Sequence, residues 1–472
     1  MSIHFGTDGW RAVISDEFTF DNVRRVAQAI ADWTNEQAGS TPPSMVVGYD
    51  TRFLSDRYAQ EVAQVLSDNG VRVSLTNGDV PTPALSFAIR HTGASGGVMI
   101  TASHNPPRYN GIKVKTAAGS SASKADCARI EHYLHQGDSL PPPNPVAAER
   151  RGTPGTLDII PDYHAHLETL LQRDLIAKRP CRIVVDSMYG AGRGHIKRWL
   201  EGTGWQVTEI HGEMNPGFGG IHPEPIMPHL EGLRAAVVNG GYVLGLATDG
   251  DADRTGAIDE RGRFIDPHCI FTLVLHHLLT VRGWRGTVVR SISMTQMIDR
   301  LCERYGLPVI ETPVGFEPIG DAMLRGDFLM GGEESGGITI KNHVPVGDGI
   351  LMGLLLLEIV SHTGATLAEL VDSVKADLGP AHYARQDLRL TRTVNKRAMT
   401  DQLSTSAPRS IAGIGVARTQ HNDGMKYLLT NGGWLLIRPS GTEPVLRVYA
   451  EAPEQEILAA LLAYGQSIAA TI

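Results

Sequence analysis

The chain has 472 residues, with 42% hydrophobic and 20% charged side chains, and at ~150 residues per domain it is long enough for about three domains. This balance excludes a disordered tail or a collagen-like chain. A net charge of −8, from 43 basic and 51 acidic residues, argues against nucleic acid and anionic membranes as partners. The longest apolar run, 350–357, is less than half of the ~20 residues a membrane span needs. The amino terminus lacks the charged and apolar regions of a secretory signal. Cys127, Cys181, Cys269 and Cys302 lie far apart with no C-x-x-C pair. A cytoplasmic chain with its cysteines buried as small apolar side chains is therefore expected.

Strand and helix patterns alternate. Residues 45–47 read as a buried strand; Tyr58, Val62, Val65 and Leu66 recur at helical spacing before Gly70, and strands follow at 71–75 and 98–100. Asn110-Gly111 reads as a turn before a strand at 112–114, and the proline run 141–145 as a linker. The pattern restarts with strands at 182–185, 205–210 and 242–247 and helices at 196–200 and 230–238. A third round has a hairpin around 259–262, helices at 267–279 and 295–305, strands at 287–290 and 308–311, and an apolar helix after Gly349. Beyond about residue 375 the register changes, with strands at 434–437 and 445–449 and a closing helix near Pro453. Three βαβ-type rounds and a smaller α+β tail are expected, with ligands beyond the carboxyl ends of the strands.

Four stretches carry chemistry. Asp249, Asp251 and Asp253 follow an apolar run at alternate positions, a pattern that turns several oxygens onto one hard divalent ion. An EF-hand is disfavoured by Arg254 at the sixth position, where Gly is needed, and by strand-like flanks; a solvated acidic turn is the plainer alternative. Thr101-Ala102-Ser103-His104-Asn105-Pro106 follows a strand without a hydrolase elbow, and on local chemistry alone Ser103 reads better as a capping or turn serine, with Lys113 close enough to return beside it. Gly331–Gly337 places Glu333 and Ser335 among glycines, suited to hydroxyl groups or simply a mobile loop. Arg438-Pro-Ser440-Gly441-Thr442-Glu-Pro444 suits a phosphate dianion, or is a hairpin turn with a surface arginine. The run 190–195 misses a dinucleotide fingerprint because His195 stands where Gly is required. His164, His166, His276 and His277 read as structural or surface residues.

Together these stretches resemble the α-D-phosphohexomutases, the phosphoglucomutase/phosphomannomutase family. The segments are F-G-T-D-G-W-R-A at 5–12, G-Y-D-T-R at 48–52, T-A-S-H-N-P-P-R-Y-N-G-I-K-V at 101–114, D-G-D-A-D-R at 249–254, V-G-F at 314–316, G-E-E-S-G-G at 332–337 and R-P-S-G-T-E-P at 438–444. The resemblance implies three similar mixed α/β domains and a smaller C-terminal α+β domain around a central cleft, placed at 1–145, 155–257, 258–372 and 380–472. It also implies a hexose 1-phosphate/6-phosphate mutase, with glucose or mannose as the sugar, working through a phosphoserine and a hexose 1,6-bisphosphate that also serves as activator.

By that resemblance Ser103 is the phosphoserine, and Asp249, Asp251 and Asp253 hold Mg²⁺ together with a phosphoryl oxygen on Ser103. Lys113 and His104 handle a proton and support the serine, Arg11 and Arg254 are active-site arginines, and Glu333 and Ser335 contact sugar hydroxyls. Arg438, Ser440, Gly441 and Thr442 take the non-reacting phosphate. Glu317 departs from the pattern, since many relatives carry Lys there. Partners are small sugar phosphates, and the chain is a monomer or homodimer. The alternatives are a phosphoglucosamine mutase, a magnesium-dependent sugar phosphatase, or a non-catalytic module binding a sugar phosphate or Ca²⁺.

Overall fold

The computed structural model describes residues 3–6, 9–136, 152–440 and 444–470. They pack as two units, one from residues up to 270 with 315–368, the other from 271–314 with 369 onward. The proline run 141–145 lies outside the described residues.

The first unit holds two large mixed sheets. One has the strand order Trp10–Val13, Tyr109–Thr116, Gly96–Ile100, Ser44–Tyr49, Arg72–Thr76, Gly155–Leu157. Its first two pairings are antiparallel and its remaining three are parallel. Met45, Val46 and Val47 are all buried, as expected where helices cover both faces of parallel strands. Helix Phe20–Gln37 begins at Thr19, whose Oγ1 accepts from the Asn22 N–H, and buries Val23, Val26 and Ile30. Helix Ser55–Asp68 buries Tyr58, Val62 and Leu66 and ends just before Gly70, at φ +81°.

Asn110 and Gly111 lie inside strand Tyr109–Thr116 and form no turn. Gly111 faces Arg11 in the ladder, and a Cβ there would come within 2.6 Å of the Thr101 and Trp10 carbonyl oxygens. Its smallness serves close backbone approach.

The second sheet runs Phe264–Ile265, Thr255–Asp259, Leu244–Thr248, Arg182–Asp186, Gln206–Ile210. Helix Gly349–Thr363 packs on it, with Gly353 opposite Ile196 and Leu246. Asp348 caps that helix by accepting from the Leu351 N–H, while its other oxygen accepts from the Tyr163 hydroxyl at 2.6 Å. Strands Phe328–Gly332 and Ile338–Ile340 form an antiparallel pair in the same unit.

In the second unit, Thr287–Ser291 and Val309–Thr312 pair in parallel. A six-stranded sheet, antiparallel throughout, follows in the order His382–Arg389, Val445–Ala452, Trp434–Pro439, Met425–Leu429, Ile414–Gln420, Ser410–Ile411. Met425, Leu435, Ile437 and Val448 form its core with helix Gln455–Ala469. The chain is thus α/β with a smaller C-terminal α+β part. Cys269 and Cys302 are buried as expected, whereas Cys127 and Cys181 are partly exposed; no disulfide joins any of the four. Among the described residues no single helix is long and apolar enough to cross a membrane.

Candidate active site

Ser103 sits in the loop after Gly96–Ile100, buried, with φ +51°. A non-glycine residue holds such a conformation only when its surroundings impose it, and here Asp50 and Arg52 do. Asp50 accepts from the Thr101 hydroxyl at 2.6 Å, and Thr101 Oγ1 accepts from the Ser103 N–H at 2.8 Å. Arg52, fully buried and 3.2 Å from the Asp50 carboxylate, donates to the carbonyls of Ser103, Asn105, Pro106 and Tyr109. The phosphoserine candidate is therefore held by a buried ion pair to which sequence reasoning assigned no role. Its signal was present, since Asp50-Thr-Arg52 directly follows a strand.

Ser103 Oγ donates to Asp249 Oδ2 at 2.8 Å. The two loops approach so closely that a Cβ on Gly250 would lie 2.5 Å from the Ser103 carbonyl oxygen. Gly190, of the near-miss nucleotide fingerprint, has the same purpose: a Cβ there would meet the Asp249 and Gly250 carbonyls at 2.7 Å, and the Ala191 N–H donates to the Gly250 carbonyl. Those glycines seat the aspartate loop.

Carboxylate oxygens of Asp249, Asp251 and Asp253 lie within 4.8 Å of one another. Burial first, then Asp253 and Asp251, pushes the Asp249 carboxyl well above the usual carboxylate range. Lys113 Nζ, on strand Tyr109–Thr116, donates to Asp251 and Asp253 at 2.9 Å each, and Thr82 Oγ1 donates to Asp251 at 2.6 Å. One ammonium against three clustered carboxylates leaves excess negative charge on hard oxygen donors, which fits a divalent ion of the magnesium class. No sequence signal marked Thr82.

The cations gather around the same loops. Arg11 Nη1 donates to Asn105 Oδ1 at 2.9 Å, and Arg254 Nη1 lies 3.4 Å from Glu224 Oε1. Burial pulls the Arg254 guanidinium down, but Asp249, Asp253 and Glu224 outweigh it and hold it above its ordinary value. His104 is held well below its ordinary value by burial, then by Arg254 and Arg11. Its imidazole is thus neutral, with a buried Nδ1 that has no hydrogen-bond partner.

Glu333 is buried; its Oε2 accepts from the Gly315 N–H at 3.1 Å and its Oε1 from the Ser335 hydroxyl. Burial, then Glu334, pushes its carboxyl up to about 7, with Arg254 opposing. Glu317 turns to the start of helix Lys124–Gln136, accepting from the Lys124 N–H at 3.4 Å. It acts there as an acceptor for a helix N-terminus.

In the second unit, Arg438 Nε donates to Asp423 Oδ2 at 2.8 Å, and Lys396 pairs with the other oxygen of Asp423. Ser440 is buried, and its N–H donates to the Val445 carbonyl. Gly441 and Thr442 lie outside the described residues.

Four profiles of the phosphoglucomutase/phosphomannomutase family match this chain: alpha/beta/alpha domain I at 2–140, domain II at 161–262, domain III at 266–376 and the C-terminal domain at 395–464. The chain belongs to the phosphoglucomutase/phosphomannomutase family. It is 32% identical over 452 residues to a phosphoglucomutase/phosphomannomutase of Thermococcus kodakarensis, covering 96% of this chain and 95% of the relative. It is 33% identical over 469 residues to a phosphoglucosamine mutase of Frankia alni, covering 96% and 94%. The crystal structure of a putative phosphomannomutase from Thermus thermophilus superposes with a TM-score of 0.86 at 37% identity, covering 99% of each chain. Membership makes this chain a mutase of the isomerase class.

Proposed function

We propose that this mutase interconverts hexose 1-phosphate and hexose 6-phosphate, with glucose or mannose as the sugar, through a phosphorylated Ser103 and a hexose 1,6-bisphosphate. The observation that carries the reading is the 2.8 Å hydrogen bond from Ser103 Oγ to Asp249, at the edge of a three-carboxylate cluster. Neither O1 nor O6 of one sugar can pass a phosphoryl group in line to the other, so a resident acceptor is needed.

In the first half-reaction the bond between Ser103 Oγ and phosphorus breaks as the free sugar hydroxyl oxygen bonds to phosphorus, and the hydroxyl gives up its proton. In the second, the bond between the other sugar oxygen and its phosphorus breaks as Ser103 Oγ bonds to that phosphorus, and the freed sugar oxygen takes up a proton. Mg²⁺ held by Asp249, Asp251 and Asp253 would neutralise phosphoryl charge. Arg11 and Arg254 add fixed positive charge beside the serine loop, where it stabilises the transferring group. His104, neutral and buried, supports the serine loop, and Lys113 is the candidate for passing a proton. Glu333 and Ser335 accept and donate hydrogen bonds to sugar hydroxyls, and Arg438 with Ser440, Gly441 and Thr442 takes the second phosphate.

The Frankia alni relative favours a second reading, glucosamine as the sugar. Glucose, mannose and glucosamine 1-phosphates, each supplied with Mg²⁺ and a trace of the matching bisphosphate, distinguish the readings by which 6-phosphate accumulates. Inertness towards all three, or stoichiometric release of inorganic phosphate, overturns the mutase reading. Ser103→Ala is expected to abolish turnover and phosphate labelling of the protein together.

A further inference from the structure

Residues 222–229, His-Pro-Glu-Pro-Ile-Met-Pro-His, hold a second constellation that the reaction does not use. Pro223, Pro225 and Pro228 each fix their own φ, so the segment is stiff without help from its side chains. Backbone bonds from the Glu224 N–H to the His222 carbonyl and from the Ile226 N–H to the Glu224 carbonyl, both 2.8 Å, tighten it further. Gly256 lets it lie against the sheet, since a Cβ there would come 2.3 Å from the Pro225 carbonyl oxygen.

This rigid segment brings one donor atom each from His222, Glu224 and His229 within 4.8 Å of the others. His222 Nδ1 lies 3.5 Å from Glu224 Oε2, and the two imidazole rings are 4.9 Å apart between centroids. His222 Nδ1 is shielded from water and has no hydrogen-bond partner. In the tautomer protonated at Nε2, the Nδ1 lone pair is a ready metal donor. With metal–ligand bonds of about 2.0–2.1 Å, a tetrahedral ion sets its ligands roughly 3.3–3.5 Å apart. The His222–Glu224 edge already has that length, and the edges to His229 are no longer than 4.8 Å.

We propose that His222, Glu224 and His229 form a second metal site, selective for a divalent transition ion of the zinc class. Two imidazoles and one carboxylate suit such an ion, as the three oxygens of the aspartate cluster suit a hard one. An ion there would also draw Glu224 from Arg254, 3.4 Å away, and so change turnover. That consequence rests on the role given to Arg254 above; the binding does not.

The test is dialysis of the full chain against Co²⁺ with millimolar Mg²⁺ present to fill the aspartate cluster, followed by visible absorption. One Co²⁺ per chain with the intense bands of a four-coordinate, histidine-ligated ion is expected. The bands should vanish in His222→Ala and in His229→Ala, each with an unchanged thermal melt in Mg²⁺. His229→Ala should keep basal turnover and lose any response to micromolar Zn²⁺. Absence of the bands in the unaltered chain overturns the site, as does their survival in both variants or their loss in Asp251→Asn alone. Sugar-phosphate turnover in Mg²⁺ without Co²⁺ bands would sink this site and leave the mutase reading standing; Co²⁺ bands without turnover would do the reverse.

Discussion

Arg52 Nη2 lies 2.5 Å from the carbonyl oxygen of Ser103, and the same guanidinium holds three further carbonyls of the serine loop. A lysine offers one nitrogen where the planar fork reaches four acceptors. Arg52→Lys keeps the charge but is expected to leave carbonyls poorly matched and to destabilise the fold by about 1–3 kcal/mol. Urea unfolding measures the loss, and a change under 1 kcal/mol would refute it.

Thr82 supports Asp251 through two bonds: its hydroxyl donates to Oδ2 at 2.6 Å and its N–H to the Asp251 carbonyl at 2.9 Å. Thr82→Val keeps the shape and deletes the first bond. Mg²⁺ affinity should fall roughly 10- to 100-fold, read from the Mg²⁺ dependence of turnover and from calorimetry.

The Glu333 carboxyl titrates near 7, above the ordinary 4.5, because it is buried and faces Glu334. A raised folded value means that its contribution to stability is full below 4.5 and is lost as pH rises through 7. Acceptance of sugar hydroxyls follows the opposite course, strengthening as the carboxylate forms. A kcat/KM profile rising through about 7 is expected, and Glu333→Gln should flatten it relative to the unaltered chain. Superimposable profiles would remove Glu333 from sugar binding.

Asp423 holds Arg438 at 2.8 Å and pairs with Lys396. Asp423→Asn keeps an acceptor for the Val314 N–H but weakens the grip on the guanidinium. KM should rise roughly tenfold with kcat little changed; an equal fall in kcat and kcat/KM would contradict a purely phosphate-holding role.

His166 and His195 are held down to about 4 and about 3, by burial first and then by His343 and His164. Folded values below the ordinary 6.5 mean that the unfolded chain takes up protons first, so stability falls as pH drops from 6.5 towards 4 and 3. Urea midpoints across that window should decline, and less steeply in the His166→Gln, His195→Gln double variant.

The parallel strands, the amphipathic helices and the aspartate loop were legible because burial on one or both faces writes itself into residue order. Asn110-Gly111 misled because a turn signal and a close-packing signal use the same small residues; only the Arg11 strand beside it shows which applies. His164 and His166 read only as structural or surface residues, and the structure supplies the partners: His164 shares a 2.9 Å hydrogen bond with His195, and His166 one of 3.0 Å with His343, which is 2.8 Å from Asp348. Partners 31 and 177 positions apart leave no periodic trace. Glu317 likewise read only as a departure from the family pattern, because its partner, the Lys124 N–H, lies 193 positions away.

The excursion of residues 271–314 out of the first unit governs how that unit is completed. Helix Gly349–Thr363, which closes the sheet carrying the aspartates, leaves the ribosome long after its partners. At about 5–20 residues per second, the sheet waits for several seconds with a greasy face uncovered. The nascent chain should then be a chaperone client, its vulnerability set by translation speed through the stretch between.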